Sequence, residues 1–353
     1  MSSGCLEVAL PVSVIVGGQF GSEGKGKVSA HVARERKARA IVRVGGTNSG
    51  HTAVDSSGVL WTLRQLPAGL VESPAVAILP AGSLIDIDIL LAEIERLKLS
   101  PDKLWIDTRA SIITPEHRAA EQALIGAIGS TSSGTGAALS ERLARSADHV
   151  RAASISELGK YLREDTVGEM RAMLQAGDRL VIEGTQGFGL SIWHSDYYPF
   201  ATSRDTAASA FVAEAGLAPH DVDEVVMVLR AFPIRVGGNS GPLPQEIDWP
   251  TLAQEAHLPP GFVERTSATG RMRRVGRFDP EVVRRALAVN APHTLIVNHM
   301  DYVDPSWRTA GPTSCSHKFV EALEGAIGRE VDLFGYDAST LLPRSTVMLS
   351  RAA

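Results

Sequence analysis

The chain has 353 residues, 44% of them apolar and 21% charged, which is enough for a large buried core. Thirty-five Lys plus Arg stand against 40 Asp plus Glu, and no block of basic residues suggests a nucleic-acid partner. Cys5 and Cys315 lack metal-ligand or redox spacing, no apolar run reaches the length of a membrane span, and the first residues lack a signal-peptide pattern. The expectation is a reduced, soluble, cytoplasmic protein with no membrane partner.

The first element is the apolar run 12–16, which reads as a strand covered on both faces. It is followed by GGQFGSEGKGKVSAH, Gly17 to His31. Glycines let backbone N–H groups approach phosphate oxygens, and a helix starting there points its positive end at them. Lys25 and Lys27 add charge. The loop departs from the usual P-loop, because Val28 follows the lysine where Ser or Thr is expected. Residues 34–37 (RERK) read as the solvated end of that helix. A second strand, 40–44, leads into VGGTNSGHT, where Asn48 offers an amide, Gly50 a carbonyl and His51 a general acid.

Further strands are expected at 76–79, 104–107, 179–183, 225–229 and 294–298, with Trp105 as strand core. Helical spacing marks 84–98, 115–128, 155–174, 206–215 and 280–289, and Pro115 and Pro280 suit first turns. The stretch WHSDYYP at Trp193 reads as a loop against a pocket. The spacing of His194 and Asp196 matches no metal pattern. Strands alternating with helices predict an α/β fold, a mostly parallel central sheet with helices on both faces, in one domain spanning 1–353. Polar glycine clusters at 17–27, 45–52, 129–136, 183–189, 235–241 and 266–274 are expected at strand ends on one edge of that sheet, where ligands gather.

Taken together, QFGSEGKGK and VGGTNSGHT resemble the adenylosuccinate synthetase family. The likeness continues in order through GSTSSGTGAA at Gly129, IEGTQG at Ile182, YPFATS at Tyr198, RVGGNSGPLPQEI at Arg235 and TSATGRMRR at Thr266. The chain is shorter than bacterial members and nearer the archaeal and phage forms. The resemblance implies a P-loop-like fold and a ligase that uses Mg2+ to join aspartate to the 6-position of a purine nucleotide. It also implies site residues. Gly21, Glu23, Gly24, Lys25, Gly26, Lys27 and Thr52 would hold the donor's phosphates. Asn48, Ser130, Thr131, Gln186, Thr202, Val236 and Gly237 would hold the acceptor nucleotide. Arg145 would reach a neighbouring subunit's site, which implies a homodimer. Thr266, Thr269, Gly270, Arg271 and Arg273 would grip aspartate, and Gly50, with Ser22, would face the metal. His51, Lys25, Gln186 and Ser22 would be the catalytic set.

The departures carry information. Inosinate-using members read Gly-Asp-Glu-Gly-Lys-Gly-Lys, and their Asp takes the proton from nitrogen 1 of the base. Here that position is Ser22, a poor base that leaves room for a 2-amino group. This replacement resembles a phage branch of the family that condenses dGMP with L-aspartate to N6-succino-2-amino-2'-deoxyadenylate, a precursor of 2-aminoadenine DNA. In that case the host cytoplasm is the setting. The family's guanine-reading Thr-Lys-Leu-Asp is Asn298-His299-Met300-Asp301 here, and Ser-Thr-Gly-Pro is not intact around Ser339 and Thr340. His299 and Asp301 would then face the donor base, with ATP or dATP expected in place of GTP. An ordinary synthetase acting on IMP with GTP, and an inactive nucleotide-binding relative, are the two alternatives.

Overall fold

The computed structural model describes residues 11–266 and 270–349. At its centre is a ten-stranded sheet. From one edge the order is Leu341–Pro343, Leu333–Gly335, Thr294–Asn298, Val222–Arg230, Val12–Gly17, Leu180–Glu183, Ala40–Arg43, Val76–Leu79, Leu104–Asp107 and Leu162–Arg163. Every pairing is parallel except the edge pair Leu333–Gly335 with Leu341–Pro343. All seven strands expected from the sequence lie in this sheet, within one to three residues of their expected bounds.

The first strand shows why the fold is layered. All six of its residues are buried, as expected when helices cover both faces. Val12, Val14 and Val16 pack on one side with Phe211 and Met170, from the helices Ala208–Ala215 and Thr166–Gln175. Ile15 packs on the other with Val28 and Val32 of the helix Lys25–Glu35. Alternation along the strand thus feeds two apolar layers. Each such Val or Ile contributes about 1.5–3 kcal/mol on burial.

Parallel strands bring their carboxyl ends to one edge. Arg43, Glu183, Arg230 and Asn298 are each the last residue of a parallel strand on that edge. Two smaller pieces complete the rim. The hairpin of His51–Val54 and Leu60–Leu63 carries His51. An antiparallel sheet of Ile234–Val236, Arg273–Gly276 and Glu246–Ile247 carries Val236 and Arg273.

Three expectations need correction. Residues 155–174 are not one helix: a 3-10 turn Ser156–Tyr161 and the short strand Leu162–Arg163 precede the helix Thr166–Gln175. Asp165 caps that helix by accepting from Gly168 N, so the start lies later than apolar spacing suggested. The helix expected at 115–128 is interrupted, as Pro115–Ala120 and Gln122–Ile128. Finally, only the clusters at 17–27, 45–52 and 183–189 follow central strands; 129–136 follows a helix, and 235–241 and 266–274 belong to the three-stranded sheet. No helix among the described residues is long and apolar enough to cross a membrane.

Candidate active site

Two cavities open at the carboxyl edge, one of about 410 Å³ and one of about 220 Å³. Ser22, Lys25, Gly50, His51 and Arg273 line both, so they form a common wall. Asn48, Ser130, Thr131, Gln186, Thr202, Val236 and Thr266 line the larger cavity alone. Gly24, Gly26, Lys27, Thr52, Asn298 and His299 line the smaller. The helix Lys25–Glu35 starts at that smaller cavity, which offers an anion its positive end.

The first loop is braced from within. Glu23 is fully buried; its Oε1 accepts from Gly21 N at 2.7 Å, and Lys25 Nζ donates to its Oε2 at 2.7 Å. Its carboxylate lines neither cavity, so the side chain shapes the loop and does not face the phosphate space expected for it. Gly24 has φ +94°, and a Cβ there would stand 2.7 Å from Asn298 Nδ2, so only glycine fits. Asn298 Nδ2 donates to Glu23 O at 2.7 Å, tying the loop to a neighbouring strand end. Ser22 is exposed at φ +58°, with its carbonyl accepting from Arg230 Nη1 at 3.2 Å. Lys27 donates to Asp337 O and Thr340 O, and burial lowers its pKa to about 8.

His51 sits in a buried ionic group. Its Nδ1 lies 2.7 Å from Glu183 Oε1 and 3.0 Å from Arg43 Nη1. Glu183 also accepts from Ala68 N and Gly69 N, each at 3.1 Å, so its direction is fixed. The shorter contact, to the carboxylate, favours a proton on Nδ1 over the competing Arg43 donor, and that tautomer leaves Nε2 bare. Nε2 is buried without a hydrogen-bond partner. Burial, and then the Arg43 charge, push the imidazole down to about 3. Burial opposes the charge of Glu183, but His51 and Arg43 outweigh it and hold the carboxylate below its usual range.

A second ionic group lies across the smaller cavity. Glu264 accepts from Arg230 Nη2 at 2.6 Å, Arg273 Nη1 at 2.7 Å and the Tyr302 hydroxyl at 3.0 Å. Burial opposes its charge; Arg230 and the other cations hold it well below the usual carboxylate range. Arg43, Glu183, Arg230 and Glu264 escaped the sequence reading. Three of them share one signal, a charged residue closing an apolar strand run at the ligand-binding edge.

Other expected residues are placed as follows. Asn48 Nδ2 and Thr202 Oγ1 stand 3.5 Å apart across the larger cavity. Ser130 and Thr131 line it, but the N–H groups of Gly134, Gly136 and Ala137 are already taken by Glu121. An anion in that loop would therefore meet hydroxyls, not the helix start. Gly237 lies beside Val236 and donates to Met272 O. Arg271 Nη1 donates to Ser130 O at 3.0 Å, and its backbone N donates to Thr266 Oγ1, closing the loop expected to hold aspartate onto the loop expected to hold the acceptor. Gly270 is exposed in the same loop, and Thr269 lies outside the described residues. Arg145 is exposed and lines neither cavity of its own chain. His299 lines the smaller cavity, but Asp301 does not: its Oδ2 is held by Arg308 at 3.1 Å. Tyr198 and Pro199 of the WHSDYYP stretch line the larger cavity, and Asp196 pairs with Arg285.

Fold and site together define the class: a parallel α/β protein with two adjoining cavities at the carboxyl edge of its sheet, sharing a wall that carries Lys25 and Arg273. The adenylosuccinate synthetase family model matches residues 14–158 and 151–307. The adenylosuccinate synthetase of Pyrococcus sp. (strain ST700) is 38% identical over 336 residues, covering 92% of this chain and 95% of that one. That of Methanocaldococcus jannaschii is 39% identical over 303 residues, 84% of each chain. Among solved structures, the succinoaminodeoxyadenylate synthetase of cyanophage S-2L, bound to dGMP and dATP as an energy donor, superposes with a TM-score of 0.81 at 27% identity. It covers 96% of this chain and 97% of that one. The adenylosuccinate synthetase of Plasmodium falciparum shares the fold, with a TM-score of 0.82 at 19% identity, over 94% of this chain and 99% of that one. The chain belongs to the adenylosuccinate synthetase family and is a ligase that forms a C–N bond between a purine nucleotide and aspartate.

Proposed function

We propose that the acceptor is dGMP, the donor ATP or dATP, and the product N6-succino-2-amino-2'-deoxyadenylate. The observation that carries this is Ser22, an uncharged side chain on the common wall where inosinate enzymes place a carboxylate. Likeness to the cyanophage S-2L enzyme supports it. The higher identity to archaeal adenylosuccinate synthetases favours the second reading, IMP with GTP.

In the proposed reaction the acceptor occupies the larger cavity, and the donor's phosphates lie over the helix Lys25–Glu35. The 6-oxygen attacks the γ-phosphorus; the new O–P bond forms as the bond from that phosphorus to the β,γ-bridging oxygen breaks, the nucleoside diphosphate leaves, and the nitrogen-1 proton passes to a water beside Ser22. The aspartate amine then attacks carbon 6, and phosphate leaves. Lys25 and Arg273, on the common wall, neutralise the moving phosphoryl group. His51, oriented by Glu183, presents Nε2 to the same place; the charge of the incoming phosphates raises its affinity for a proton, which it takes from water and then donates to the bridging oxygen. Ser22 and Gly50, on that wall, carry hard oxygen donors that would suit a Mg2+ ion, and the ion would supply charge neutralisation for the phosphates. For the donor base, Asp301 is engaged by Arg308, which leaves it poorly placed to read guanine and favours adenine. The exposed Arg145 suits a homodimer in which it completes the partner's site. The chain would work as one cytoplasmic domain.

The test is phosphate release with aspartate, crossing dGMP, GMP and IMP with ATP, dATP and GTP. The reading requires dGMP with ATP or dATP to turn over fastest. Faster turnover of IMP with GTP selects the second reading.

A further inference from the structure

Among the described residues, Glu264 is the one carboxylate that touches both Arg230 and Arg273. Arg230 is clamped to the first loop: its backbone N donates to Gln19 Oε1 at 2.9 Å, Gln19 Nε2 donates to Arg230 O at 3.2 Å, and its guanidinium reaches Ser22 O. Arg273 lines both cavities from the strand Arg273–Gly276. Glu264 therefore joins the strand that carries the aspartate loop to the loop that carries Ser22. Two guanidiniums meet one carboxylate, so the cluster keeps one surplus positive charge. The Nε atoms of both Arg230 and Arg273 are buried and without partners, so neither guanidinium is saturated. Of the other cations nearby, Lys25 is paired with Glu23 and Lys27 donates to two carbonyls, so neither bonds Glu264.

We propose that Glu264 is a positioning residue for capture of the amino-acid substrate. It holds Arg273 across the mouth between the cavities, fixed by a short ion pair yet carrying enough residual charge to take a second carboxylate. The Tyr302 hydroxyl steadies it from behind. A guanidinium with five donors can serve Glu264 on one edge and a substrate carboxylate on the other. Without Glu264, Arg273 is free to swing, and Arg230 becomes a buried, unpaired cation that pulls at the Ser22 carbonyl. This inference rests on the family's use of aspartate and on Arg273 as its contact; it does not depend on which purine nucleotide is the acceptor.

The test uses Glu264→Gln, Glu264→Asp and Tyr302→Phe in the full chain, with apparent KM measured separately for aspartate, donor and acceptor. The acceptor is whichever nucleotide the parent enzyme turns over best, so a wrong choice between dGMP and IMP leaves the test intact. Glu264→Gln is expected to raise the aspartate KM about 30-fold or more, while both nucleotide KM values stay within about threefold. Glu264→Asp should recover most of that loss, and Tyr302→Phe, which keeps both ion pairs, should cost less than about threefold. An aspartate KM within about twofold of the parent overturns the proposal, as does an equal rise in all three KM values. If Glu264→Gln does not fold, Glu264→Asp decides: a residual rise in aspartate KM of about three- to fivefold with both nucleotide KM values unchanged supports the proposal, and an aspartate KM within about twofold of the parent overturns it.

Discussion

His51 Nδ1 stands 2.7 Å from Glu183 Oε1, and both side chains are buried where the two cavities meet. The pair orients the imidazole, whose Nε2 is buried without a partner, and His51 lines both cavities. Glu183→Gln keeps the shape but can no longer enforce one tautomer. Its kcat should fall by about 10²–10⁴-fold with little change in nucleotide KM. A rise in KM with kcat intact would make Glu183 a purely structural brace.

The same pair predicts proton uptake. Burial and Arg43 push His51 down to about 3. Bound phosphates add negative charge beside Nε2 and raise that value. Calorimetry in two buffers of different ionisation enthalpy should show proton uptake when donor and acceptor bind together. A His51→Asn variant should lose that component, and equal uptake in both proteins would refute the assignment.

Much of this was legible in the sequence, and the limits have physical causes. The seven strands were visible because an apolar run buried on both faces leaves a plain signal. The interrupted helix at Pro115–Ala120 and Gln122–Ile128, and the late start at Thr166, were not, since caps and breaks depend on single polar residues. Ser22, Lys25, His51 and Arg273 were found from their loops, and they line one wall. Arg43, Glu183 and Arg230 were missed because each looks like an ordinary charge until the strands bring their ends together, and Glu264, in a loop, shows its part only once Arg230 and Arg273 meet it. Glu23 misled in the opposite direction: its place in a phosphate loop suggested a ligand contact, but backbone N–H groups and Lys25 hold its carboxylate inside.

Stability should fall in mild acid. His51 and His299 are both pushed down to about 3, chiefly by burial, against about 6.5 in the unfolded chain. Between those values the unfolded chain binds protons that the folded chain does not. Stability is therefore full above about pH 6.5 and is lost as pH falls, by up to about 2 kcal/mol per histidine by pH 5. Urea unfolding at pH 7.5 and pH 5 should show this drop, and His299→Asn should flatten it. An unfolding free energy independent of pH over that range would contradict the buried, neutral state of both rings.

Arg271 should report on two substrates at once. Its guanidinium donates to Ser130 O, which ties the aspartate loop to the acceptor loop. Arg271→Ala is expected to raise the aspartate KM by about 30-fold or more, as for a lost charged partner, and the acceptor KM by a smaller factor. The donor KM should not change. An unchanged aspartate KM would remove Arg271 from the aspartate site.

Ser22→Asp addresses the choice of purine. Ser22 lines both cavities and is exposed, so a larger side chain can be accommodated without disturbing the core. Its left-handed backbone, at φ +58°, suits Asp better than most residues. A carboxylate there restores an acceptor for the nitrogen-1 proton, which hypoxanthine chemistry needs. It also takes space beside the 2-position, where guanine carries an amino group. General-base assistance is worth about 10²–10⁴-fold, so a working base should appear in turnover. The quantity to compare is the ratio of kcat/KM for dGMP over IMP, in the parent and in the variant. The variant's ratio should fall by at least about tenfold, through better use of IMP, poorer use of dGMP, or both. The new charge also stands near Arg230 and Lys25, so donor KM must be measured alongside to show that the change lies in the acceptor. If the ratio is unmoved in a folded variant, Ser22 does not select the base, and the proposed preference for dGMP loses its main support.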